Sequence, residues 1–269
     1  MELFFQTYPE SYSPISDART PVVIIHGLFG STTNWRSFAK QLSEHHPVIV
    51  VDLRNHGRSP HIDSHTYTDM AVDLIRLLDK LGVRSIQLCG HSMGGKVAMV
   101  LSLLYPERVE RLAVLDIAPV EYVRSHASNL EKMIALDLES LESRNDADKK
   151  LSSDIPEAST RLFLLQSLVG SKGRFSWRLN LPVLLAEMPT ISSFPFAELD
   201  QRSYAGNSLF MSGELSDYVS KSDHSAVLEY FPKADFSVIP KAGHWLHAEQ
   251  PQVVLTTLLK FLQLGKKND

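Results

Sequence analysis

A chain of 269 residues that is 43% hydrophobic can bury a sizeable core, enough for one large domain with an inserted subdomain. Its net charge of -4, with both signs interspersed, offers no basic stripe for nucleic acid and no acidic tail. A single cysteine, Cys89, rules out an internal disulfide, and no stretch reaches the ~18 apolar residues of a membrane span; the first residues also lack a secretory leader pattern, so a reducing, cytoplasmic setting is expected.

Residues 2–8 read as an edge strand, followed by a link rich in Pro, Ser and Asp. Pro21-Val22-Val23-Ile24-Ile25-His26-Gly27 is a continuous β-branched run, the pattern of a parallel strand covered on both faces. Trp35, Phe38, Ala39 and Leu42 fall at helical spacing within 33–44, and 47–53 is the next buried strand. Thr66 and Asp69 start a helix whose apolar face is Ala71, Leu74, Ile75, Leu78 and Leu81, with Gly82 ending it. Strand 85–89 leads into Gly90-His91-Ser92-Met93-Gly94, helix 93–104 leaves it, Pro106 stops that helix, and 111–116 resumes as strand. This alternation predicts a mainly parallel sheet.

From about 120 to 204 the pattern changes. Amphipathic segments at 130–141 and 160–169 run on without buried strands between them, and Pro182, Pro189 and Pro195 break the end. That is the pattern of a helical cap, giving an expected core of 1–119 and 205–269 and a cap of 120–204. Strand 208–211, helix 225–231, strand 236–239 and a last helix at 251–264, with Pro251 in its first turn, complete the chain before a frayed tail.

Gly90-His91-Ser92-Met93-Gly94 reads Gly-x-Ser-x-Gly, a nucleophile elbow in which serine sits on a sharp strand-to-helix turn and the glycines let helix and strand approach. Serine is a poor nucleophile at neutral pH, so it needs a base, a group orienting that base, and donors for an oxyanion. Of eleven histidines, His244 alone lies in a Gly-His loop after the last predicted strand, which makes it the expected base. His26, His56 and His91 are expected to shape the oxyanion and entrance loops, and His45, His46, His65 and His224 to be solvated. Neither His61 with His65 nor His244 with His247 has a well-spaced third ligand, so no metal is expected. The backbone N–H groups of Met93 and Leu28, with Phe29 as second choice, are the expected oxyanion donors. Phe29 and Trp245 supply an apolar substrate pocket. Two residues compete as the acid: Asp116, at the end of the strand after the elbow helix, and Asp217, in the loop after strand 208–211. Either could instead cap a local turn or helix.

The elbow, His26-Gly27-Leu28-Phe29-Gly30, Asp52-Leu53-Arg54-Asn55-His56-Gly57-Arg58-Ser59, Asp116-Ile117-Ala118-Pro119-Val120 and Gly243-His244-Trp245-Leu246-His247-Ala248-Glu249 together resemble the α/β-hydrolase superfamily. More narrowly, the chain resembles the YbfF-type esterases and their mitochondrial abhydrolase relatives, over nearly its whole length and least in the cap. The resemblance implies an α/β-hydrolase fold, a mostly parallel central sheet flanked by helices, with a helical cap inserted after the sixth strand. It also implies Ser92, His244 and an acid at Asp116; the family pattern has a non-acidic residue where this chain has Asp217. Arg124 and His126 follow the Asp-Ile-Ala-Pro-Val block and are candidate pocket residues, with surface positions the alternative. The expected activity is that of a carboxylesterase or thioesterase without a cofactor. Its expected substrate is a small-molecule acyl ester or thioester with an apolar acyl group, acyl-CoA among the candidates. Carbon-carbon bond hydrolysis of vinylogous diketones by the same residues is one alternative, and a non-catalytic ligand receptor on the same scaffold is another.

Overall fold

The computed structural model describes residues 1–13, 19–123, 126–199 and 201–263. Along the first part of the chain run β1 (Phe5–Tyr8), β2 (Val22–Ile25), α1 (Thr32–Leu42), β3 (Val48–Val51), α2 (Tyr67–Lys80), β4 (Ile86–His91), α3 (Met93–Leu104) and β5 (Val109–Leu115). The middle holds α4 (Ala127–Ala135), α5 (Arg144–Leu151), α6 (Ala158–Leu164), β6 (Leu168–Val169), β7 (Ser176–Trp177), α7 (Leu181–Ala186) and α8 (Met188–Ser192). The chain closes with β8 (Asn207–Gly213), α9 (His224–Tyr230), β9 (Ala234–Ile239), α10 (Leu246–Glu249) and α11 (Pro251–Gln263).

Seven strands form one sheet in the order β1-β3-β2-β4-β5-β8-β9. Only the edge strand β1 is antiparallel, pairing Phe5 with Val51 and Tyr8 with Val48; the other strands are parallel to their neighbours. The β-branched runs explain the centre: every residue of β2, β3 and β4 is buried, as strands covered by helices on both faces must be. Trp35, Phe38 and Leu42 of α1 share one apolar layer with Val254, Leu258 and Phe261 of α11. Leu74 and Leu78 of α2 and Val97 and Leu101 of α3 lie in the other.

Helix starts follow local chemistry. Ser31 and Asn34 form a capping box at α1, with Asn34 Oδ1 accepting from the Ser31 N–H at 2.7 Å. Thr66 Oγ1 accepts from the Asp69 N–H at 3.1 Å at α2.

Three expectations need correction. Among the described residues five sheet strands, not six, precede the middle segment, because the chain before Val22 contributes only β1: Pro9 has no N–H for a ladder, and the Tyr12 N–H turns back to the Pro9 carbonyl. The helix expected at 130–141 ends at Ala135, and the Asp137 side chain then accepts from the Glu139 N–H, a local bond that competes with helix. The segment expected at 160–169 becomes α6 followed by a ribbon of β6 and β7, which reverses through Gly170 and Gly173, both at positive φ.

The middle segment crosses the ends of the core strands. The Tyr67 hydroxyl donates to the Ile191 carbonyl at 2.6 Å, and the Asn180 N–H donates to the Asn55 carbonyl at 3.0 Å.

Candidate active site

Ser92 sits between β4 and α3 with φ 52 and ψ -123, a strained backbone that only its surroundings can hold. Its N–H donates to the Leu115 carbonyl at 2.9 Å, and its own carbonyl accepts from Gly95 and Lys96. A Cβ on Gly90 would lie 2.2 Å from the Gly94 carbonyl oxygen, and one on Gly94 would lie 2.3 Å from that of His26. Helix, elbow and β2 therefore meet only because both positions lack side chains.

His244, in the loop after β9, faces two partners. Its Nε2 is 3.0 Å from Ser92 Oγ and its Nδ1 is 2.8 Å from Asp116 Oδ2. Asp116 is fully buried at φ 53; its Oδ1 accepts from the Gly213 N–H at 3.0 Å, and Oδ2 accepts also from the Ser216 hydroxyl. A carboxylate is acceptor-only, so His244 Nδ1 carries the proton and Nε2 keeps a lone pair for the serine hydroxyl. The Tyr218 ring stacks on the imidazole with centroids 3.8 Å apart, and His91 Nε2 donates to the His244 carbonyl at 2.8 Å. Asp217 lies exposed in the loop after β8, while the carboxylate bonded to His244 is that of Asp116.

Two lobes of a cleft meet at Ser92. The wider is lined by Phe29, His126, Phe163, Leu164, His244 and Trp245. The narrower includes Met93, Lys96, Tyr122, Met188 and Tyr218, and Leu28 borders both. Met93 opens α3 directly after the serine, and Leu28 and Phe29 lie in the loop after β2, with Phe29 at φ 65. His126 lines both lobes and approaches the Tyr218 hydroxyl at 3.2 Å; burial and then the nearby His244 lower its pKa to about 4. Arg124 lies outside the described residues.

The remaining histidines divide differently from the expectation. His65 and His46 are buried, not solvated. His65 packs at 3.5 Å from Met93 Sδ, and burial followed by the Arg54 charge brings its pKa to about 3. Its burial follows from the loop it closes, whose Arg54 side chain is fixed between Asp73 (2.6 Å) and Asp69 (3.0 Å). His26 Nδ1 donates to the Gly27 carbonyl and its Nε2 accepts from the Leu53 N–H, tying the loop after β2 to that after β3. Asp52 continues that tie by accepting from the N–H groups of Thr32 and Arg58. His45 is exposed, and His224 stacks on Phe236 at 3.7 Å. Among the described residues no three His, Cys, Asp or Glu side chains are placed to hold a metal ion, and no helix is long and apolar enough to cross a membrane.

Lys96, absent from the sequence-derived site, reaches the cleft. Its signal was a lone charge inside the otherwise uncharged Gly94–Leu104 stretch of α3, where every residue through Leu103 is buried.

Residues 20–251 match the family model described as alpha/beta hydrolase fold. The chain is 43% identical over 264 residues to the sn-1-specific diacylglycerol lipase ABHD11 of Mus musculus, covering 94% of this chain and 85% of that one. It is 37% identical over 244 residues to Esterase YbfF of Escherichia coli strain K12, covering 90% and 93%. A solved structure titled marine microorganism esterase superposes with a TM-score of 0.90 at 35% identity, covering 97% of this chain and 99% of that one. The narrower likeness to YbfF-type and abhydrolase-domain proteins thus holds along with the broader one, and this chain belongs to the alpha/beta hydrolase fold family.

Proposed function

We propose that this chain is a carboxylesterase, acting on esters or thioesters with an apolar acyl group through an acyl-enzyme on Ser92. The observation that carries this reading is the unbroken hydrogen-bond path from Asp116 through His244 to Ser92 Oγ. In it, His244 Nε2 takes the hydroxyl proton as Oγ attacks the carbonyl, and Asp116 stabilises the imidazolium that forms. The backbone N–H groups of Met93 and Leu28 hold the oxyanion, leaving their side chains free to be apolar. Collapse of the tetrahedral adduct sends the proton from His244 to the leaving oxygen or sulfur. Water, activated by the same histidine, then releases the acid and restores the serine.

Phe29, Phe163, Leu164 and Trp245 of the wider lobe suit an aliphatic or aryl acyl chain. The relatives named as a lipase and an esterase support ester hydrolysis as the reaction.

The test is hydrolysis of p-nitrophenyl butyrate by wild type and Ser92→Ala. Loss of at least about 10⁴-fold in kcat is expected, together with labelling of Ser92 by a fluorophosphonate in wild type. Equal rates in the two proteins would refute the mechanism.

A further inference from the structure

We infer that Lys96 forms an anion-recognising subsite beside Ser92, so that the preferred ester carries a carboxylate or phosphate on the half that enters the narrower lobe. This inference rests on the hydrolase reading above and deepens it.

Lys96 follows Ser92 by one turn of α3, and both side chains line the narrower lobe. The residue is 1% exposed. An ammonium group carries three N–H donors. Two are taken by the carbonyls of Ser192 at 3.0 Å and Ser193 at 2.6 Å. No carboxylate lies within ion-pair distance of Nζ among the described residues, and the exposed Glu121 acts on it only from farther away.

The flanking groups supply dipoles and ring faces without a countercharge. Nζ stands 4.7 Å from the Tyr122 ring centroid and 5.8 Å from that of Tyr67. Both hydroxyls are already committed: Tyr67 donates to the Ile191 carbonyl, while Tyr122 donates to the Tyr218 carbonyl and accepts from the Ala118 N–H. Burial holds both phenols neutral, raising their pKa values.

A charge removed from water without a partner is costly, and such groups are normally paired. Burial accordingly lowers the Lys96 pKa to about 7. An anion in the lobe would restore the pairing and take the third N–H in a charge-assisted hydrogen bond. A purely structural lysine, tying α3 to the end of α8, would give no reason for the side chain to border the cleft at the nucleophile.

The experiment compares matched esters that differ only in charge. The first pair is the hexanoyl esters of 3-hydroxypropanoate and 3-hydroxypropanamide, which put the anion on the alcohol half. The second is monohexyl glutarate and hexyl glutaramate, which put it on the acyl half. In wild type, kcat/KM is expected to favour the carboxylate over its amide by about tenfold or more in the first pair, because the wider lobe takes the apolar acyl chain and leaves the narrower one to the alcohol half. In Lys96→Met that ratio is expected to fall to about one. Lys96→Gln keeps a donor for a Ser192 or Ser193 carbonyl without the charge, and replaces Lys96→Met should the latter fail to fold. Because the amide is the reference within each protein, loosening of the cleft alone does not move the ratio.

No carboxylate preference in the first pair, or a preference that survives loss of the charge, overturns the inference. Amide esters hydrolysed only when Ser92 is present, without such a preference, would overturn this inference alone. Hydrolysis that does not depend on Ser92 would overturn both readings.

Discussion

Replacing Asp116 by asparagine tests the orientation of His244 at the level of single protons. The carboxylate accepts three bonds: Gly213 N–H on Oδ1, and His244 Nδ1–H with the Ser216 hydroxyl on Oδ2. An amide of the same shape has one acceptor atom and one donor group, so it cannot meet three donors. With its NH₂ toward Gly213, two donors face each other across about 3.0 Å in a fully buried site, at a cost of about 1–3 kcal/mol. With its NH₂ toward His244, the imidazole must accept at Nδ1 and carry its proton on Nε2, where it can no longer take one from Ser92. Either orientation also removes the charge that stabilises the imidazolium. The expected loss in kcat/KM for p-nitrophenyl butyrate at about pH 8 is 10³–10⁴-fold, or roughly 4–5.5 kcal/mol of transition-state stabilisation. Thermal unfolding by circular dichroism checks that both variants fold. Asp217→Asn, at an exposed position in the loop after β8, is expected to stay within about threefold of wild type. Activity of Asp116→Asn within about tenfold of wild type, or a loss above about 100-fold in Asp217→Asn, would refute the reasoning.

Gly94→Ala places a Cβ 2.3 Å from the His26 carbonyl oxygen, backbone against backbone, and is expected to destabilise by on the order of 3 kcal/mol, read as a lower urea midpoint; an unchanged midpoint counts against the packing described. His65 is held neutral with a folded pKa of about 3, against about 6.5 unfolded, so between these values the unfolded chain binds more protons; stability is full above about pH 6.5 and is lost as pH falls toward 3. At pH 5 this one residue lowers the unfolding free energy by about 2 kcal/mol, with the buried His56 and His91 acting in the same direction, and equal urea stability at pH 7 and 5 would contradict it. Phe163→Ala opens the wider lobe and is expected to reduce the hexanoate-over-acetate ratio of kcat/KM about tenfold, whereas an unmoved ratio would place the acyl chain elsewhere.

The parts of the molecule that could be read beforehand are those whose cause is local. The run Val22–Ile25 suits a covered strand, and Gly90 announces a collision with Gly94, four residues on in the same turn. His244 was legible because a parallel sheet gathers its loops at one edge. Which aspartate pairs with His244 was not separable by spacing: the loops carrying Asp116 and Asp217 both end near that edge, and the Ser216 hydroxyl that bonds Asp116 comes from the very loop that holds Asp217. Similarly, His65 resembles a surface residue until Arg54, bonded to Asp73 across the fold, closes its loop over it. Lys96 is hidden for the converse reason, since a helix face can be read for its apolar members but not for the cavity into which its one charged member reaches.

The placement of Asp116 at the end of β5 has a mechanical consequence. β4 and β5 are hydrogen-bonded neighbours, with His91 opposite Leu115, and the residues that follow these two are Ser92 and Asp116. The spacing between Ser92 and Asp116 is therefore fixed by a single inter-strand step of about 4.8 Å, the stiffest dimension in a sheet. The chain from the end of β8 to α9 is relieved of carrying the charged group and contributes the Gly213 amide, the Ser216 hydroxyl and the Tyr218 ring stacked on His244. Changes in that corner therefore act on the bonds around Asp116 and His244, while the spacing of Ser92 and Asp116 stays set by the pairing of β4 with β5.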